Sequence, residues 1–225
     1  MAEFRGLRFQ VKARLLALFF GLGVLGCSVV RGQVPEYGGA DPLAPAKGKE
    51  VAVLAGGCFW GVDAVFKHVQ GVMDVVSGYS GGDSSAAEYE VVSSGRTGHA
   101  ESVKITYDPG KISYAQLLRV FFSVATDPTQ LNRQGPDVGT QYRSVIFYAN
   151  DAQKQVALAY IDQLNKSHIF SGPIVTQVVP LTHFYPAEAY HQNYLALHPD
   201  EPYIVYNDLP KLRALKEEFP GLYRP

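Results

Sequence analysis

The sequence predicts an α+β fold: a two-layer α/β sandwich, ferredoxin-like, on a mixed, mostly antiparallel sheet. Three observations lead there. Of 225 residues, 47% are hydrophobic and 18% charged, enough apolar matter for a packed core. Strand and helix signals run β-α-β, loop, β-α, loop, β-α-β from residue 51 onward, an order that packs helices on one sheet. Residues 99–107 alternate cleanly between two faces, the signature of a strand with one face in the core.

The first strand is VAVLA, 51–55, a short apolar run ended by Gly56 and Gly57. Val62, Val65, Phe66 and Val69 follow at helical spacing, with Gly71 expected to close that helix. Residues 72–76 read as a second strand and 78–85 as a glycine-rich loop. In 99–107, His99, Glu101, Val103, Ile105 and Tyr107 share the apolar face, which places the Glu101 carboxyl on the buried side. Ser113 and Gln116 have the spacing of a capping box, and Leu117, Leu118, Phe121 and Val124 give the helix after it an apolar stripe. Strand 143–149 precedes a helix that Asp151 can cap, with Val156, Ala159, Tyr160 and Leu164 inward. A last strand, 174–181, lies between Pro173 and Pro180. A short helix near 187–197 follows, then a tail that is irregular apart from 208–218.

The net charge of −1, without a Lys/Arg block, points away from nucleic acid and towards a small or neutral substrate. The start of the chain reads as a targeting segment. Arg5, Arg8, Lys12 and Arg14 precede the apolar run 15–26, which is too short to span a bilayer. It ends in Val24-Leu25-Gly26-Cys27, which resembles a bacterial lipobox. The expected division is a signal peptide at 1–26, a flexible linker at 27–50 lipid-anchored through Cys27, the folded domain at 51–210 and a C-terminal tail at 211–225. That makes the chain an exported, membrane-anchored bacterial lipoprotein, in the periplasm or at the cell surface. A plain export signal with an incidental Cys27, or an organellar transit peptide, are other readings of the same start.

Cys58 sits where a strand ends and a helix begins. Unpaired N–H groups at a helix N-terminus stabilise a thiolate, so its pKa is expected below the usual value. Gly56 and Gly57 would let a substrate approach the backbone. Cys58 therefore reads as a nucleophile; a buried structural thiol is the plainer reading, but such a thiol does not need the glycine pair. Phe59 and Trp60 would wall a niche for a small apolar group, or simply fill core. A buried Glu101 would hold its proton and could donate it; a salt-bridged Glu is the alternative.

These residues fall in longer motifs. Gly57-Cys58-Phe59-Trp60-Gly61, then Tyr89-Glu90-Val91, then Ser94-Gly95-Arg96-Thr97-Gly98-His99-Ala100-Glu101 resemble peptide methionine sulfoxide reductase A. Asp127-Pro128-Thr129-Gln130, Arg133-Gln134-Gly135 and Asp137-Val138-Gly139-Thr140-Gln141-Tyr142-Arg143-Ser144 continue in register, as do Phe184, Ala187, Glu188, Tyr190-His191-Gln192 and Tyr194. The similarity runs over about 51–206. It implies an α+β two-layer sandwich and an enzyme that reduces the S epimer of methionine sulfoxide, free or in oxidised proteins. It implies Cys58 as the nucleophile and Glu101 as the acid at the sulfoxide oxygen. Tyr89 and Tyr142 would bond that oxygen, and Asp137 would order the polar side. Phe59 and Trp60 would hold the S-methyl group, and His191 would line the pocket. Cys58 would be left as a sulfenic acid.

The chain departs from many members in one respect: 199–225 contains no cysteine to resolve that sulfenic acid. It resembles the single-cysteine branch, with electrons from an external thioredoxin, glutaredoxin or small thiol. No bound cofactor and no metal is expected; His183, His191 and His198 lack a ligand spacing. Two other classes compete. A cysteine hydrolase or acyltransferase would pair Cys58 with His99 or His191, and a non-catalytic surface lipoprotein would use the aromatic pocket for binding.

Overall fold

The structure, a computed structural model, describes residues 33–41 and 48–225. The expected signal peptide, Cys27 and part of the expected linker lie outside the described residues.

The sheet has six strands. β1 (Glu50–Gly56), β2 (Val72–Ser80), β3 (Ala100–Tyr107), β6 (Ser144–Tyr148), β7 (Gln177–Pro180) and β8 (Tyr185–Pro186) lie side by side in the order β7-β6-β1-β3-β2-β8. All neighbours are antiparallel except β6 and β7. β4 (Arg133–Gln134) and β5 (Asp137–Val138) form a separate hairpin. The helices are α1 (Phe59–Lys67), α2 (Tyr89–Val92), α3 (Tyr114–Val120), α4 (Asp151–Ser167), α5 (Tyr194–Leu197) and α6 (Leu209–Glu218). The four central strands, β1, β2, β3 and β6, with α1 after the first and α3 after the third, make the β-α-β-β-α-β unit of the ferredoxin-like fold.

Both faces of β1 are covered, which explains its unbroken apolar run. Leu54 joins Val75, Val103, Ile105 and Ile146 under the helices. Val53 and Ala55 join Ala100, Val145 and Phe147 on the opposite face. The stripe of α3 is buried as expected, and its capping box is complete: the Gln116 N–H donates to Ser113 Oγ at 3.2 Å and the Ser113 N–H to Gln116 Oε1 at 2.9 Å.

Several boundaries differ from expectation. β2 continues through Gly78, within the expected loop, because β8 crosses it there; a Cβ on Gly78 would lie 2.3 Å from the Tyr185 carbonyl. α1 ends at Lys67, and Gly71, at φ +88°, makes the turn into β2. Asn150, not Asp151, caps α4, its side chain accepting from the Gln153 N–H.

Two segments expected to be loose are built in. Residues 33–41, part of the expected flexible linker, lie along α3 and α4. Val34 is buried; Arg119 donates to its carbonyl at 2.9 Å, and Tyr160 donates to the Pro35 carbonyl at 2.5 Å. Gln163 bonds the backbone of both Glu36 and Gly38. The backbone of this stretch is satisfied by long-range side chains, which local composition does not reveal. The C-terminal tail likewise belongs to the domain: α6 spans the expected boundary, with Leu215 and Phe219 in the main core.

Candidate active site

The site is assembled at the N-terminal end of α1. Cys58 is the residue that caps this helix and is 8% exposed. Glu101, at the start of β3, is buried as the alternation requires. Its Oε2 accepts the Phe59 N–H, one of the unpaired donors of the helix start, at 3.0 Å. Burial pushes the Glu101 carboxyl up to about 8, the Phe59 bond lowers it, and Asp137 raises it further. It therefore holds its proton at neutral pH.

The thiol departs from expectation. Burial, then Glu101, then Asp208 push Cys58 well above the usual thiol value; the Trp60 N–H and Lys211 pull it down. The helix terminus contributes the expected sign, but desolvation outweighs it.

The glycines also serve another purpose than the one expected of them. A Cβ on Gly57, at φ +101°, would lie 2.6 Å from the Gln134 side chain, and one on Gly56 would lie 2.8 Å from the Phe121 ring. They admit protein side chains to the strand end, not substrate. Gln134 is fixed by bonds to the Asp127 N–H and to Thr126 Oγ1.

The two aromatics divide the work. Phe59 is buried against Tyr79 and His191. Trp60 is partly exposed and stacked on Tyr194, with ring centres 3.7 Å apart and planes 5° apart; Tyr203 meets it edge-on. The Trp60 indole N–H donates to His191 Nδ1 at 3.1 Å. An indole nitrogen only donates, so Nδ1 accepts and the His191 proton sits on Nε2. Burial lowers the His191 pKa, which keeps the ring neutral.

Tyr89 and Tyr142 both lie within electrostatic reach of Cys58 and Glu101, and burial raises both phenols, so they remain donors. Glu188 seats α2 by accepting from the Tyr89 N–H at 2.8 Å and from the Tyr79 hydroxyl at 2.8 Å. The turn carrying Tyr142 is tied down by Gln141, which donates to the Ser93 carbonyl, and by Arg143, which donates to the carbonyls of Gly98 and His99. Asp137 accepts from the Tyr203 hydroxyl at 2.5 Å.

A profile of the family described as peptide methionine sulfoxide reductase matches residues 50–221. This chain belongs to that family. Among its relatives is peptide methionine sulfoxide reductase MsrA 2 of Mesorhizobium japonicum, 63% identical over 79% of this chain and 91% of the relative. MsrA of Thermus thermophilus is 49% identical over 79% of this chain and 99% of its own length. Of solved structures, reduced Mxr1 from Saccharomyces cerevisiae superposes with a TM-score of 0.63 at 34% identity, over 69% of this chain and 88% of that one. Methionine sulfoxide reductase A of Corynebacterium diphtheriae superposes with a TM-score of 0.59 at 32% identity, over 74% and 89%. The fold is theirs, and the enzyme is a thiol-dependent methionine sulfoxide reductase.

The hydrolase reading finds no support in the geometry. Both His99 ring nitrogens are engaged elsewhere, with the Gly82 N–H and the Asp83 carbonyl, and His191 Nδ1 with Trp60. Sequence reasoning missed Tyr203, Asp208 and Lys211, which reach the site from the segment read as mostly irregular tail. One signal was available. Gly61 is the last residue of the Cys58 motif, and a Cβ there would lie 2.0 Å from Asp208 Oδ1.

Proposed function

We propose that Cys58 attacks the sulfur of methionine S-sulfoxide while Glu101 delivers its proton to the sulfoxide oxygen. The observation that carries this is the buried Glu101 carboxyl, protonated at neutral pH and bonded to the N–H next to Cys58. A sulfoxide oxygen leaves poorly until protonated. The Cys58 thiolate forms a bond to the methionine sulfur and the oxygen takes the proton from Glu101; the hydroxyl then moves to the Cys58 sulfur as the S–O bond to methionine and the new S–S bond break, leaving methionine and Cys58 sulfenic acid. Two electrons pass from the cysteine sulfur to the methionine sulfur, and the oxygen moves the other way. Tyr89 and Tyr142 supply hydrogen bonds to that oxygen as charge develops on it. Asp137, through Tyr203, orders the polar rim. Trp60 and Phe59 present an apolar wall to the S-methyl group, and His191 fixes the Trp60 ring.

Among the described residues Cys58 is the one free cysteine. An external thiol then attacks the sulfenic sulfur, releasing water and forming a mixed disulfide, and a second thiol restores Cys58. A thioredoxin, a glutaredoxin or a small thiol suits this step. We further propose, from the basic and apolar start of the chain, export and lipid attachment at Cys27. No helix of the described residues is long and apolar enough to cross a membrane. The mass of the mature N-terminus tests that reading.

The mechanism is tested with dithiothreitol and methionine S-sulfoxide. Wild type should form methionine and Cys58→Ser none; equal yields would overturn the role of Cys58. Without reductant, one methionine per chain and a dimedone adduct at Cys58 are expected.

A further inference from the structure

Among the described residues the buried Cys58 thiol is free, and it must lose its proton near neutral pH to attack a sulfoxide. One group that works against its burial lies on the α6 side of the site, beside an acid that works with it. A cavity of about 90 Å³ opens onto Cys58 and is walled by Asp137, Tyr203, Asn207 and Lys211. Lys211 is the one cation on that wall among the described residues. Its Nζ lies 3.1 Å from Asp208 Oδ1, and the Asp208 side chain is 0% exposed. The pair is tucked against the first turn of α1, where a Cβ on Gly61 would lie 2.7 Å from Lys211 Nζ. The glycine behind Cys58-Phe59-Trp60 is thus the opening through which the ammonium reaches the thiol's end of the helix.

The groups facing Cys58 are otherwise neutral or acidic. Glu101 comes from β3, Asp208 and Tyr203 from the helical segment that leads into α6, Asp137 from β5, Tyr89 from α2, Tyr142 from the turn at Thr140–Tyr142, and Tyr194 from α5. His191, packed on Phe59, is neutral. We propose that Lys211, seated by Asp208 beneath Gly61, is a positioning residue that eases ionisation of the Cys58 thiol for attack on the sulfoxide. The proposal rests on Cys58 being the nucleophile, and it gives Lys211 no contact with the reacting oxygen.

The experiment reads the thiol directly, so its failure is distinct from a failure of the Cys58 assay. The full chain is alkylated with iodoacetamide across pH, and carbamidomethylation at Cys58 is followed by peptide mapping, which separates it from Cys27. Lys211→Met should move the midpoint up by about one unit, a roughly tenfold slower reaction at neutral pH. Lys211→Gln keeps a hydrogen bond to Asp208 without the charge and should behave like Lys211→Met. Lys211→Arg restores the charge and should return the midpoint towards wild type. An unmoved midpoint in folded Lys211→Met, or equal midpoints for Lys211→Gln and Lys211→Arg, overturns the proposal. So does failure of all three variants to fold, since Lys211 would then be a structural residue.

Discussion

Two carboxylates are buried against the same helix, and they differ in their company. Asp63 and Glu101 are each 2% exposed. Asp63, in the middle of α1, has the Lys67 ammonium at 2.8 Å one turn on, and burial raises its pKa only to about 6. Glu101 has no Lys or Arg in ion-pair contact among the described residues; a single backbone N–H is its partner, and its carboxyl reaches about 8. A cation within contact lets a buried carboxylate keep its charge; without one, the group keeps its proton. The paired acid is an architectural group, and the unpaired one is the proton donor of the proposed mechanism. Asp208, paired with Lys211, belongs with Asp63.

The widest separation between the two should appear in turnover. Glu101→Gln removes the proton but keeps the shape, and kcat should fall by about 10²–10⁴-fold, the usual weight of a general acid. Asp63→Asn should leave turnover unchanged. A Glu101→Gln enzyme as fast as wild type would erase the distinction.

Stability should separate them by pH window, since both lose stability as pH rises, Asp63 between 3.8 and about 6 and Glu101 up to about 8. From the ordinary value of 4.5 up to about 8, the unfolded chain has released a proton that folded Glu101 retains. The folded state therefore binds more protons, and the stability of wild type falls as pH rises through that window. Glu101→Gln has no such loss. Urea midpoints should show its advantage over wild type growing from pH 5 to 8 and then levelling; a constant difference would contradict the raised pKa.

A finer test converts one acid towards the other. Lys67→Met leaves Asp63 as isolated as Glu101, and a carboxyl NMR titration should show its pKa rising by about one unit or more from its value near 6. A fixed value would mean that Lys67 is not what holds it down. The smallest effect belongs to a site remote from both. Tyr160→Phe removes the hydroxyl bond to the Pro35 carbonyl and should cost about 1 kcal/mol in denaturant titration with activity intact.

Much of this was legible in the chain. VAVLA before two glycines fixed β1, the Ser113–Gln116 spacing fixed the start of α3, and the alternation of 99–107 placed Glu101 on the buried face of β3. Those features are local, because periodicity and capping act over a few residues. The environment of Cys58 was not legible. A helix N-terminus predicts a lowered thiol pKa, yet the sum of burial, Glu101 and Asp208 reverses it. The glycine pair announced a close approach but not what approaches, which proved to be Gln134 and Phe121.

By itself the sequence determined the element order, a buried acid on one strand face, a thiol at the start of a helix and, through long motifs in register, the family resemblance. The tertiary structure decided which acids have a cation and which do not, that residues 33–41 are docked along α3 and α4, and that α6 returns Lys211 to Cys58. Contacts between residues more than a hundred positions apart, such as Trp60 and His191, are set by how the strands and helices pack. No local pattern encodes them, and the charge balance around a buried thiol is the sum of such contacts.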